Sequence, residues 1–538
     1  MASHLLSFIA LVPVAGTLAL VAVPRDRERL LRAIAVVTTA VVLAAASRLW
    51  FGFEARGAQW QFAERLEVWP SIGASYALGI DGLGLLLVLL TTFLTFLAVL
   101  ATWARVGTPL KPFYVGVLLL EAGMLGVYMA LDLLHFCLCW MLAAASMCVL
   151  IGTAAGDTRA VRRVLAVAIL PGLVILAGMV ALHIEGRAMT GAQTFDLRMF
   201  QSLSLPIVVQ RWVFGAFAVG FGAGLFGVCR WWMSVASDGR AVAVPLLLAA
   251  VFLKMGTFAF LRLSLPLLPD ASRDFAPAIV AISAIGIVLG AVAAFAQTTW
   301  TRVLACASLS HISLVILGAF ALTPDGLTGS AVHQVNHGVS IAALFLVAGL
   351  VAERGRAAPL AEYGGLLNAM PLVAALWLLM TLSLVGVPKL NGFVGARLIL
   401  EGVWPVSRTW SIVALTGTAL GGMALLWVFS RAMLGELKSP SGGVPSDLRV
   451  AEAVVFVPLV VLAVWLGLRP APLLATVETS VARVVLRVSP EFASEVSDCL
   501  NQPVPAPADG LLPGMVLTAP CADAAAGQAP AHDPGQKR

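Results

Sequence analysis

Apolar runs of about twenty residues recur from the first residues of this chain to about position 470, and they leave little choice of fold. Such a run, coiled as a helix, crosses roughly 30 Å of hydrocarbon. Inside lipid the backbone must satisfy its own hydrogen bonds, so a chain made of such runs folds as a bundle of membrane helices. About fourteen runs can be read, with centres near Gly16, Val41, Leu90, Gly123, Met147, Val174, Ala218, Leu253, Gly286, Leu314, Leu344, Trp377, Ala424 and Val460. A shorter piece, 391–405, reads as the second half of a broken span. Only 12% of the 538 residues are charged, against about one quarter in soluble domains. With many runs following it, the first is expected to stay as an anchor and not to be cleaved as a signal peptide.

The net charge of +6 would point to nucleic acid in a soluble protein. In a membrane protein positive charge instead orients the loops. Arg25, Arg27, Arg29 and Arg32 follow the first run, Arg105 and Lys111 the third, Arg159, Arg162 and Arg163 the fifth, and Arg354 and Arg356 the eleventh. The loops after odd-numbered runs are therefore expected in the cytoplasm. Both termini then lie outside, in the periplasm of a Gram-negative host, and no nucleic-acid partner is expected.

Residues 1–110 hold three runs and a loop, 51–80, whose Trp50, Phe51, Phe53, Trp60, Phe62 and Trp69 suit the membrane interface. Residues 111–265 and 275–433 hold five runs each. Equal blocks with an odd number of spans predict an all-α polytopic fold with two inverted five-helix repeats, and such transporters interrupt a helix at matching positions. The matching stretches here are Gly220-Phe221-Gly222-Ala223-Gly224 and Gly386-Val387-Pro388-Lys389-Leu390-Asn391-Gly392. Proline removes a helix hydrogen bond, so the second is the stronger break. Close packing by small residues explains the first equally well.

Residues 434–487 hold the last run and then an amphipathic stretch, near 470–490, that reads as a surface helix. Residues 488–538 are rich in Pro, Ala, Gly and Asp and are expected to be disordered, with Cys499 and Cys521 free to form a disulfide there. Cys137, Cys139, Cys148, Cys229 and Cys306 lie in or near apolar runs and read as packing residues. A two-residue offset on a helix points the thiols of Cys137 and Cys139 apart, against a metal or redox pair.

The costly residues are the ionisable ones inside the runs. Lys254 stands in AVAVPLLLAAVFLKMGTFAFL and Glu121 in GVLLLEAGMLGVYM. A charge at bilayer depth costs roughly 2.5–3.5 kcal/mol on insertion scales, so it needs a partner or a task. Burial disfavours the charged form of either group, which suits both to proton exchange. The blander alternatives are a paired structural lysine and a protonated structural glutamate. His311 and His337 lie in neighbouring runs and suit a proton chain, and His333 is one helical turn from His337. No third ligand beside those two is visible for zinc. Asp81 reads as a helix N-cap. No P-loop, dinucleotide fingerprint, four-cysteine cluster or haem motif occurs, so no nucleotide, metal or redox cofactor is expected in this chain.

Several segments together resemble the M-type (chain 4) membrane subunit of NADH:quinone oxidoreductase, respiratory complex I. They are GIDGLGLLLVLLTTFLTFLAVLA, GMLGVYMALDLLHFCLCW, LLAAVFLKMGTFAFLRLSLPLLPDASRDFAP, FAQTTWTRVLACASLSHISLVILG, QVNHGVSIAALFLVAG and VGVPKLNGFVGARLILEG, in order, over about 75–470. The resemblance implies fourteen spans with two inverted repeats, other membrane-arm subunits and the lipid bilayer as partners, and protons moved through a chain of titratable groups at mid-membrane.

The departures concern that chain. The resemblance puts family glutamates at Met141 and Ala396 and a family lysine at Ala223; of the usual Glu–Lys–Lys–Glu set only Lys254 remains. Two readings stay open. Protons could take a rewired route through Glu121, Lys254, His311, His337 and Glu401, or the subunit keeps the fold as a structural element that has lost conduction. A stand-alone or Mrp-type cation/proton antiporter, or a membrane subunit of a related hydrogenase or carbon-uptake complex, is the alternative outside complex I.

Overall fold

The computed structural model describes residues 4–102, 109–155, 158–226, 243–354, 358–438, 444–494 and 496, with side chains for all of these except 154–168 and 223–226. The helices in chain order are α1 (Leu5–Ala22), α2 (Glu28–Gly52), α3 (Gly82–Ala101), α4 (Leu110–Met129), α5 (Leu133–Ala155), α6 (Thr158–Thr190), the short α7 (Leu197–Ser202) and α8 (Ile207–Phe226). They continue with α9 (Ala243–Leu267), which includes two π-helical segments. After it come α10 (Pro269–Phe295), α11 (Trp300–Phe320), α12 (Pro324–Arg354), α13 (Pro371–Val385), α14 (Asn391–Val403), α15 (Arg408–Met433), α16 (Val450–Leu468) and α17 (Ala471–Val488). Among the described residues twelve helices are long and apolar enough to cross a membrane, and α13 and residues 207–222 of α8 are shorter apolar helices. Every centre read from the sequence falls in one of these fourteen.

The chain packs in two shells. In its most apolar window α12 is wholly buried, α9 and α11 are 94% buried, and α4 is 83% buried. The same window is only 39% buried in α1, α2, α10 and α15, and 28% in α16. The outer helices therefore expose apolar faces, whereas α12 carries its polar side chains into the centre of the protein. Such placement is what a low-dielectric surround demands of them.

One expectation needs correction, and two features of the chain are settled locally. The 51–80 loop is not loop throughout: β1 (Gln61–Trp69) pairs antiparallel with β2 (Ala74–Ile80), with Arg65 opposite Ala77. Between the two five-helix blocks, α9 ends at Leu267 and α10 begins at Pro269. The glycine-rich stretch from Gly220 is not a break as far as Phe226, since α8 runs through it. A Cβ on Gly220 would lie 2.3 Å from Ile175 Cγ1, so this glycine lets α8 close on α6.

The second break is present. Helix α13 ends at Val385, Gly386 follows at φ +85°, and α14 restarts at Asn391. A left-handed residue at that place is the usual way glycine stops a helix. The amphipathic stretch is α17, whose Ser480 Oγ accepts a hydrogen bond from Gly82 N at 3.1 Å and so ties it to the start of α3. Cys229, Cys499 and Cys521 lie outside the described residues.

The hairpin is pinned through Asp196, the N-cap of α7, whose carboxylate meets Arg65 of β1 at 3.0 Å and Arg198 at 2.6 Å. Burial pushes this carboxyl up, but the Arg198 and Arg65 guanidiniums outweigh burial and hold it below the ordinary aspartate value. A carboxyl depressed in the folded state adds stability above its unfolded value, about 3.9, and that stability goes as pH falls through the folded value. Hydrogen exchange in residues 61–80 is therefore expected to speed up below about pH 4, and Asp196→Asn to speed it at neutral pH. Unchanged exchange in the variant would count against the lock.

Candidate functional site

The site is built where α9 meets α12. Residues Leu248–Phe252 of α9 are π-helical, with Leu253 N bonded back to Leu248 O at 3.1 Å. A π-bulge of this kind widens the helix and reorients the side chains after it. Lys254 follows directly and is 1% exposed. Its Nζ donates to Ala249 O at 2.9 Å and lies 2.6 Å from Nδ1 of His337. Among the described residues no carboxylate pairs with it, so its partners are a carbonyl and an imidazole. One turn on, Thr257 Oγ1 donates to Gln334 Oε1 at 2.6 Å and fixes the register of α9 against α12.

His337 belongs to a cluster of three rings. Its centroid is 5.2 Å from that of His311 and 6.5 Å from that of His333, and His311 Nδ1 lies 3.2 Å from His333 Nε2. His333 is the member that the sequence reading left out of its site, although its i, i+4 spacing with His337 was the available signal. His333 Nδ1 and His337 Nε2 are buried without a hydrogen-bond partner. Buried polar atoms of this kind are where ordered water is held. Among the described residues no His, Cys, Asp or Glu group has a metal-binding arrangement.

The polar cluster continues to the second break. Ser340 Oγ and Ser383 Oγ are 2.7 Å apart, Ser383 also donates to Asn391 Oδ1, and Asn391 Nδ2 donates to Asn336 O at 2.9 Å. These residues come from α12, α13 and the first residue of α14, so the break delivers a polar side chain to the central helix. A Cβ on Gly395 would lie 2.7 Å from His333 Cβ, which brings α14 against α12. The neighbouring Ala396, where the resemblance puts a glutamate, is 9% exposed and supplies no titratable atom.

A second, largely buried set of side chains is aromatic. Phe136 and Trp140 of α5, Phe214, Phe217 and Phe221 of α8, Phe260 of α9, Phe275 of α10 and Phe320 of α11 form one connected file of rings with centroid spacings of 5.0–6.4 Å. Met141, next to Trp140, packs against α6: its Cγ lies 3.0 Å from where a Cβ on Gly172 would stand. The side-chain surroundings of Ala223, two residues after Phe221, lie outside the described residues.

The remaining candidates are apart from the cluster. Glu121 is fully buried on α4 and neither carboxyl oxygen has a hydrogen-bond partner. Among the described residues no hydrogen bond or ion pair joins it to Lys254. Glu401 is 45% exposed on α14 and accepts a 2.7 Å hydrogen bond from Arg397 Nε one turn away. Asp81 caps α3, as expected, by accepting from Gly84 N at 2.8 Å, but it also pairs with buried Arg262 at 2.5 Å. Cys137 faces Gly172 O and Cys139 faces His135, so the two thiols have different neighbours.

Comparison with known proteins agrees with this geometry. Residues 130–421 match the family model described as NADH:quinone oxidoreductase/Mrp antiporter, TM. NADH-quinone oxidoreductase subunit M of Rhodobacter capsulatus is 32% identical over 499 residues, covering 90% of this chain and 96% of that one. The chain belongs to the subunit M (chain 4) family of NADH:quinone oxidoreductase. Subunit M of Mycobacterium tuberculosis is a similar relative, 31% identical over 93% of this chain and 97% of that one. In structure, the chain superimposes on a chain of respiratory complex I from Thermus thermophilus with a TM-score of 0.79, at 26% identity, over 91% of this chain and all of that one. A chain of the Mrp complex from Dietzia shares the fold alone, with a TM-score of 0.77 at 20% identity over 93% of this chain and 99% of that one. Within this antiporter-like membrane family, the present member carries a buried Lys254 and a helix break after Val385. It carries Met141 and Ala396 at two positions where the resemblance puts family carboxylates.

Proposed function

We propose that this chain is a membrane-arm subunit of an NADH:quinone oxidoreductase in the cytoplasmic membrane, with both termini on the periplasmic side. It packs against other membrane-arm subunits and maintains the arm without completing a proton path of its own. The observation that carries this reading is the ring file from Phe136 to Phe320. A proton needs titratable atoms or water at hydrogen-bond spacing, and closely packed phenyl rings offer neither. The Lys254–His337–His311–His333 cluster is then a polar core confined to one half, which holds α9, α11 and α12 in register.

One observation favours a second reading. The Glu121 carboxyl is buried with neither oxygen bonded, and a group in that state is suited to proton exchange. On this reading protons cross by way of Glu121, Lys254, His311, His337 and Glu401.

The test is the number of protons moved per electron pair by the purified complex in sealed proteoliposomes. With Lys254→Ala the ratio is expected to stay at the wild-type value, whereas a lower ratio supports the rewired route. Purification of the chain with other complex I subunits excludes a free-standing antiporter.

A further inference from the structure

Away from the lysine–histidine cluster, a cavity of about 380 Å³ opens where α17 crosses the start of α3 and the end of α9. Its polar lining is one-sided. Arg262, Arg483 and Arg487 contribute three guanidiniums, against the single carboxylate of Asp81. Arg262 is 4% exposed. Its Nη1 lies 2.5 Å from Asp81 Oδ2, and one face of its guanidinium stacks on Trp60 at 3.9 Å. Its Nε and Nη2 have no hydrogen-bond partner. A guanidinium carries five N–H donors in a planar fork, so one carboxylate oxygen leaves most of this fork unused. A buried charge with free donors, beside two further arginines, is costly unless an anion joins it.

Helix periodicity brings the rest together. Ser480, Arg483, Val484 and Arg487 recur at three- and four-residue spacing on α17 and share the face that lines the cavity. The walls between the arginines are aliphatic, with Leu83 and Leu327 among them. An anion-binding fork inside a greasy cleft suits a phosphate group attached to an apolar body.

We propose that this cavity binds a phosphate-bearing anion, received by Arg262, Arg483 and Arg487, with an anionic phospholipid headgroup as its source. Bound there, the lipid would join α17 to α9 through its phosphate oxygens and engage the donors that Asp81 leaves open. The arginine fork matches phosphate geometry bidentately, which a lysine in its place would not.

The experiment uses the whole complex, stripped of lipid in detergent and titrated with phosphatidylglycerol, with phosphatidylcholine or with inorganic phosphate, while its melting temperature is followed. The variants are Arg483→Gln/Arg487→Gln, which leaves the buried Arg262–Asp81 pair in place, and Gln201→Glu, which adds a carboxylate to the cavity lining without removing bulk. Phosphatidylglycerol is expected to raise the melting temperature, with half-saturation at least about tenfold higher in either variant, the equivalent of 1.4 kcal/mol or more. Inorganic phosphate giving the same variant-sensitive rise would assign the site to a free phosphate anion. Equal response to phosphatidylcholine, or equal half-saturation in the wild type and both variants, would overturn the proposal. If the double variant does not assemble, Gln201→Glu alone decides.

Discussion

Phe221→Ala is expected to destabilise the assembled subunit by about 3–5 kcal/mol, the range for deleting a buried aromatic ring. Phe221 touches four other rings, with centroid spacings of 6.4 Å to Phe136, 5.3 Å to Trp140, 5.0 Å to Phe217 and 5.5 Å to Phe260. It therefore joins α5, α8 and α9, and no neighbour can rotate into its place without leaving a gap of its own. The space it vacates would be lined by phenyl and indole faces. A cavity with no polar partners stays empty of water, so proton movement by the complex is expected to be unchanged while its melting temperature drops. Melting of the detergent-solubilised complex and proton uptake by proteoliposomes read the two effects separately. A loss under about 1 kcal/mol would mean that the file is not tightly packed. A proton leak in the variant would mean that the ring file borders a hydrated path, and the non-conducting reading would fail with it.

The helical membrane fold was legible because lipid allows one backbone solution, and a run of about twenty apolar residues declares it. Lys254 was legible for the same reason: a charge in such a run is too expensive to be incidental. The break at Gly386–Gly392 was legible because proline and two glycines interrupt an apolar run. The β1–β2 hairpin was not, because the apolar alternation in Gln61–Trp69 is short, broken by Glu64, and lies on a largely exposed strand. The π segments around Lys254 were not legible either, since one widened turn leaves the apolar composition unchanged. The ring file is a tertiary fact. Its eight members come from five helices, and along any one of them they read as ordinary core residues. Glu401 shows the reverse limit, for its spacing from Arg397 predicts their pairing on a helix surface but says nothing about distance from the histidines.

The two glycine stretches, similar on paper, should respond oppositely to the same substitution. Gly392→Ala would set a Cβ 1.8 Å from the carbonyl oxygen of Ser383. That oxygen is backbone, so it cannot swing aside, and α14 must move off the end of α13. The bonds among Asn391, Ser383 and Ser340 depend on that close approach, and their loss leaves buried hydroxyl and amide groups unpaired, at about 1–3 kcal/mol each. The yield of assembled complex, read by fluorescence-detected size exclusion, is expected to fall several-fold. Gly222→Ala places its Cβ where nothing among the described residues lies within 4 Å. There alanine only replaces the poorest non-proline helix former inside α8, which favours the helix by up to about 1 kcal/mol, and the yield should hold or rise. Equal losses at both sites would mean that α8 also needs a flexible turn there. Opposite outcomes would set the broken helix at Gly386–Asn391, beside the polar cluster, apart from α8, which runs unbroken as far as Phe226 and packs on α6 and the rings.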